Sequence, residues 1–183
     1  RVSSVLIGPG CGNGEETRIK VGAVLDICKF AVLDADALTA FEMFPERLLK
    51  QLNSNKILTP HLGEFKRLFP NIYEEGKDIK TMAEEAAKKS GAVILLKSSA
   101  GVIASPQGEM VINTNTTPYL ATAGSGDVLA GMIASLIAQG LDFFKAASLG
   151  AFIHGKASDM LVVEKGFRGQ IASDLLENIP GLI

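Results

Sequence analysis

Between Ala121 and Gly131 the chain reads Ala-Thr-Ala-Gly-Ser-Gly-Asp-Val-Leu-Ala-Gly, three small residues (Gly124, Ser125, Gly126) opening a long apolar segment. A helix this apolar must be buried, which fixes its N-terminus inside the protein. The first N–H groups of a helix have no intrahelical partner, and the macrodipole makes that end positive. Glycines at 124 and 126 allow close backbone approach, so the helix start can receive a phosphate. Asp127 falls in the first turn, where the dipole favours its ionised form and equips it to take a proton from a hydroxyl. The same residues also serve a plainer purpose, an Asp supporting a helix start and glycines packing on a neighbour.

Four further clusters carry chemistry-bearing side chains. Lys97-Ser98-Ser99-Ala100-Gly101 follows the apolar Ile94-Leu-Leu and offers a charge and backbone donors to phosphates, or else marks a solvated strand end. In Thr59-Pro-His-Leu-Gly-Glu-Phe65, His61 is read as a ligand contact and Glu64 as helix support. In Val32-Leu-Asp-Ala-Asp-Ala-Leu38, Asp34 is placed near ligand and Asp36 as an N-cap for the helix from Leu38. Gly8-Pro-Gly-Cys-Gly-Asn-Gly14 suits close approach to a ligand through Gly10 and Gly12, but its spacing is not that of a dinucleotide fingerprint. Cys11 reads as a packing residue, since no base lies beside it in sequence. His154, between Ile153 and Gly155 on an apolar helix, reads as a satisfied core or helix-contact histidine.

These clusters sit where a particular architecture would gather them. Strand patterns at Val2–Ile7, Phe30–Asp34, Lys56–Leu58 and Ala92–Lys97 alternate with helical spacing at Glu15–Cys28, Leu38–Phe44, Pro45–Leu52, His61–Phe69 and Ile79–Ser90. A hairpin follows, Gly101–Ser105 and Glu109–Asn113, and then helices at Gly126–Gln139, Phe143–Val163 and Ala172–Asn178. The alternation predicts an α/β class, a three-layer α/β/α sandwich on a mostly parallel sheet covered on both faces. Ligands of such sheets bind at the carboxyl ends of the strands, where all these loops lie.

Composition removes other classes. Of 183 residues, 47% are hydrophobic and 21% charged, enough apolar surface to exclude disorder and to form one domain. The formal net charge of −2 gives no general field for nucleic acid or anionic lipid, so any anion needs a local device. No apolar run approaches the roughly 18 residues of a membrane span. The two cysteines lack zinc or disulfide spacing, which points to a reducing, cytoplasmic setting.

In this order the motifs resemble the ribokinase-like superfamily, and within it the NAD(P)H-hydrate dehydratase family. The resemblance rests on Ile7-Gly-Pro-Gly-Cys-Gly12, Val32–Leu38, Leu58-Thr-Pro-His-Leu-Gly-Glu-Phe65, Leu95-Leu-Lys97 with Val102-Ile-Ala, Leu120–Gly131 and Gln170-Ile-Ala-Ser-Asp-Leu175. It implies repair of hydrated NADH or NADPH (NADHX, NADPHX) by phosphoryl transfer from ADP, or ATP, to the hydrate hydroxyl, followed by loss of phosphate. It implies Asp127 as the base, Lys97, Ser98, Ser99, Ala100, Gly101, Gly124 and Gly126 on the nucleotide (ADP, AMP) side, and Gly10, Gly12, His61 and Asp127 on the hydrate side. It further implies Mg²⁺ with the phosphates, no residue being assigned as its ligand, a homotetramer, and in many bacterial members an upstream epimerase domain. Where the family usually has a Gly after the Lys, a Thr near 101 and an Asn near 117, this chain has Ser98, Gly101 and Thr117.

Family domains extend roughly a hundred residues further at the N-terminus, on the scale of a domain boundary. Residues 1–183 are therefore expected to be the C-terminal part of the catalytic domain. The alternatives are a small-molecule kinase on the same scaffold and a nucleotide-binding module without turnover.

Overall fold

A computed structural model describes residues 3–166 and 169–183; the expected start of the first strand at Val2 lies outside them. A six-stranded sheet runs in sequence order: β1 (Val5–Ile7), β2 (Ala31–Leu33), β3 (Lys56–Leu58), β4 (Val93–Leu96), β5 (Gly101–Ala104) and β6 (Met110–Asn113). Strands β1 to β4 are parallel, and the β5–β6 hairpin turns back beside β4. Strands β2 to β5 are buried throughout, as their unbroken apolar runs require in a sheet covered twice.

Alternate strand residues face opposite layers. Ala31, Leu33, Leu58, Ile94 and Val102 meet α1 (Glu15–Ile27), α2 (Asp36–Thr39), α3 (Pro45–Leu49), α4 (Leu62–Leu68) and α5 (Ile79–Ser90). Val32, Ile57, Val93, Leu95 and Ile103 meet α6 (Ser125–Ala138) and α7 (Phe143–Lys165). Helix α8 (Ala172–Asn178) adds Leu175 to a small cluster with Ala157 and Leu161 of α7. The three-layer expectation therefore holds.

Local signals explain the helix ends. Asp78 accepts from Lys80 N at the start of α5, and Gly91, at φ 69°, closes it in the left-handed region. Asp142 accepts from Lys145 N to open α7. Two expected helices are shorter than their spacing suggests: α2 stops at Thr39 and runs on as a turn that buries Phe41, and α3 stops at Leu49, with Leu52 beyond it half-buried against the core. A short 3₁₀ turn, Pro118–Leu120, also precedes α6.

Candidate nucleotide and phosphoryl-transfer site

The carboxyl ends of β2, β3 and β4 each deliver one polar side chain to one point. Asp34 leaves β2 and is 1% exposed; its Oδ1 accepts from Thr59 Oγ1, at the end of β3, at 2.8 Å. Lys97, at the end of β4, donates to the same Oδ1 at 2.8 Å, although 63 residues separate the pair. The ammonium is held from below, and its side chain stays 23% exposed, reachable by an anion. Backbone geometry here is tight. A Cβ on Gly8, whose φ is +134°, would lie 1.7 Å from the Asp34 carbonyl oxygen, so β1 can exit beside β2 only through glycine. Ala35 has φ 49°, strained for a residue with a Cβ, between the two aspartates.

Over this pair stands the start of α6. A Cβ on Gly126 would sit 3.3 Å from Lys97 Nζ and 3.6 Å from Asp34 Oδ2. Gly124 opens the helix at φ 84° and brings no side-chain cap to the first-turn amides. Backbone donors and an ammonium thus converge, which is the composition of a phosphate site.

A cavity of about 730 Å³ adjoins them. Its walls include His61, Lys97, Ser98, Ser99, Gly101 and Gly126, so six of the expected ligand residues share one space. Ala100, Gly124, Gly10 and Gly12 do not line it. Asp127 is exposed and faces elsewhere, into a second groove of about 420 Å³ with Val128, Gly131, Leu176 and Ile179. The helix start therefore divides two spaces, Gly126 facing one and Asp127 the other.

Two residues differ from their sequence reading. Asp36 is not an N-cap: Ala35 holds that position, and the Asp36 carboxylate instead accepts from Gly12 N at 2.8 Å, fastening the glycine loop to the end of β2. His61, besides lining the cavity, is itself the N-cap of α4. Its Nδ1 accepts from Gly63 N and Glu64 N, while Glu64 Oε2 accepts from His61 N at 2.8 Å, a reciprocal box that leaves Nε2 to carry the neutral ring's proton.

Sequence reasoning missed the part played by His154. It is buried and satisfied as expected, but its partner is Ser125 Oγ at 3.1 Å, and both line the cavity. Burial, chiefly, pushes the imidazole down to about 4, with Lys97 adding to the effect. No local signal marks it, because its partner lies 29 residues away.

The NAD(P)H-hydrate dehydratase family model matches residues 1–181. The chain belongs to that family. The bifunctional NAD(P)H-hydrate repair enzyme Nnr of Moorella thermoacetica is 41% identical over 184 residues, covering 98% of this chain and 34% of that protein. The ADP-dependent (S)-NAD(P)H-hydrate dehydratase of Neisseria meningitidis is 38% identical over 182 residues, covering 96% of this chain and 59% of that one. The ADP/ATP-dependent NAD(P)H-hydrate dehydratase of Bacillus subtilis, co-crystallised with ATP and Mg²⁺, superposes with a TM-score of 0.83 at 29% identity. That match covers 98% of this chain and 63% of that structure. The chain thus spans about a third of the bifunctional Moorella relative. The dehydratase-family sandwich is ribokinase-like, and no helix among its described residues is long and apolar enough to cross a membrane.

Proposed function

We propose that the protein carrying this chain dehydrates NADHX and NADPHX to NADH and NADPH at the expense of ADP, as a hydro-lyase of cofactor repair. The observation that supports this most directly is the meeting of the Lys97 ammonium with the start of α6 at Gly126 on the wall of one cavity. Ser98, Ser99 and Gly101 line the same cavity, so a phosphoryl donor bound there meets an ammonium and backbone donors together. Phosphoryl transfer is catalysed mainly by such positioning and charge stabilisation.

In this reading the nucleotide occupies the cavity, its phosphates met by Lys97, by Ser98 to Gly101 and by the amides at Gly124 to Gly126. Asp127 takes the proton of the hydrate hydroxyl as the oxygen attacks the terminal phosphorus of ADP and AMP departs. Hydroxide leaves poorly and phosphate well, so the phosphorylated hydrate then expels phosphate, the adjacent ring carbon gives up a proton to water, and the ring double bond returns. His61, Gly10 and Gly12 contact the hydrate, the last with its loop fastened by Asp36.

Among the described residues no three His, Cys, Asp or Glu side chains group as a metal cage. Mg²⁺ fits here as an ion carried mainly by phosphates, with Asp34, whose Oδ2 faces Gly126, as the nearby carboxylate. When bound it would supply charge neutralisation of the phosphates. The bifunctional relatives support an epimerase carried elsewhere in the same polypeptide. A homotetramer and a cytoplasmic setting complete the reading.

The test is recovery of reduced-nicotinamide absorbance from acid-made hydrate with ADP, with ATP, and with neither. Recovery that requires the nucleotide is the expected result. Stable phosphorylation of a sugar or vitamin precursor, with no recovery, would replace the reading with a kinase. ADP binding without turnover would leave a nucleotide-binding module.

A further inference from the structure

Resting on the nucleotide reading above, we infer that His154 is a positioning residue, holding the first turn of α6 over Lys97 through its hydrogen bond to Ser125. Both partners are buried, His154 at 5% and Ser125 at 2% exposure, and both line the cavity. Ser125 is the first residue of α6 and directly precedes Gly126, where an added Cβ would lie 3.3 Å from Lys97 Nζ. The helix has no side-chain cap at Gly124, and the 3.1 Å contact from Nε2 to Ser125 Oγ gives this turn a side-chain tether. A phosphate site made of backbone amides works only when those amides are held still before the ligand arrives.

The same stretch of α7 holds the facing wall. Asn113 Nδ2 donates to the Ala151 carbonyl at 3.0 Å, and Asn115 Nδ2 to that of Phe152 at 3.1 Å. Thr117 Oγ1 and Ser158 Oγ meet at 2.9 Å. One rigid helix therefore joins the α6 start on one side to the 113–117 segment on the other, and sets the width of the space between them. His154 supplies the link to α6, and burial keeps its ring neutral at ordinary pH, so the link adds no second positive charge beside Lys97.

The experiment is a double-mutant cycle on ADP affinity, read by calorimetry with Mg²⁺, using Ser125→Ala, His154→Leu and the pair. Loss of one tethering hydrogen bond is expected to weaken ADP about tenfold in either single variant. The double variant should be no weaker than the singles, because both remove the same link. His154→Gln, which keeps a donor and an acceptor able to reach Ser125, should stay within about threefold of wild type. A merely structural histidine would lower the melting temperature without this coupling or this rescue. If His154→Leu does not fold, the test passes to Ser125→Ala, expected about tenfold weaker, and His154→Gln, expected within about threefold of wild type; a folded Ser125→Ala protein that binds ADP like wild type then overturns the role. Folded single variants binding ADP like wild type, or losses that add in the double, overturn the positioning role while the proposed function stands. A wild-type protein that binds no ADP overturns the function, and the positioning role with it.

Discussion

Lys97 Nζ rests 2.8 Å from Asp34 Oδ1, across a strand that neither residue belongs to. Asp34 directly follows β2 and Lys97 directly follows β4; β3 lies between, and Thr59, just beyond it, joins them by donating to the same oxygen. The backbone repeats the link: Lys97 N donates to the Pro60 carbonyl at 2.8 Å, and Lys97 bridges His61 as a parallel partner. Three strand ends are thus tied into one platform beneath the α6 start. The arrangement leaves the lysine paired yet partly exposed, which suits a group that must meet an anion without being held by nothing in its absence.

Asp34→Ala removes the buried partner and leaves the ammonium without its carboxylate. A loss of about 3 kcal/mol is expected, the low end for a broken buried pair because Lys97 retains some water. Urea unfolding at neutral pH measures it. Restoring part of the loss with Asp34→Ala/Lys97→Met would confirm that the unpaired charge causes it; an Asp34→Ala protein as stable as wild type would refute the account.

Gly126→Ala should separate stability from binding. The residue is helical without positive φ, and the new Cβ meets only the tip of Lys97 at 3.3 Å and Asp34 Oδ2 at 3.6 Å. The fold should tolerate the change or gain up to about 1 kcal/mol of helix propensity. The methyl nevertheless occupies the approach to the amides, so ADP affinity should fall about tenfold or more. Unchanged affinity would place the phosphates elsewhere.

Asp127→Asn keeps the size of the side chain and removes its basicity. Because Asp127 is exposed and does not line the cavity, ADP binding should be largely kept. Turnover of the hydrate should drop by about two to four orders of magnitude. Near-normal rates in a single-turnover assay would remove Asp127 from its role.

His154 makes stability depend on acid. Its folded value, about 4, lies below the ordinary 6.5, so between these the unfolded chain binds a proton that the native protein refuses. Stability from this residue is fully present above pH 6.5 and declines as pH falls toward 4, by about 3 kcal/mol over the window. Denaturant melts from pH 7 down to 4 should show that slope in wild type and a shallower one in His154→Gln. Identical slopes would mean that another group governs the acid limb.

Gly155→Ala tests the facing wall. An added Cβ would lie 1.7 Å from the Asn115 carbonyl oxygen, and backbone cannot move aside as a flexible side chain does. The substitution should cost about 3 kcal/mol, at the upper end for overpacking, visible as a lowered melting temperature. Gly131→Ala, with nothing within 4 Å of its Cβ, serves as a helical control that should not destabilise.

The strands, the long helices and the loops worth inspecting were legible in the sequence, because the signals for them are local. Apolar runs such as Val93–Leu96, the Gly91 cap and the opening of α6 at Gly124 are written within a few residues of where they act. So were the candidate residues themselves: the Lys97 loop, His61 and Gly126 reach one cavity because each follows or opens a buried element whose end the pattern already marks.

Pairing was not legible. Nothing near Asp36 says that its carboxylate reaches back 24 residues to Gly12 rather than capping its own helix. Nothing near His154 tells a buried histidine in the core from one on a cavity wall, and the family motif does not say that Asp127 and Gly126 face different spaces. Those facts follow from strand order and from which helix lies over which strand end. Such long-range contacts are decided by the simultaneous burial of many apolar faces, so only the folded chain contains them.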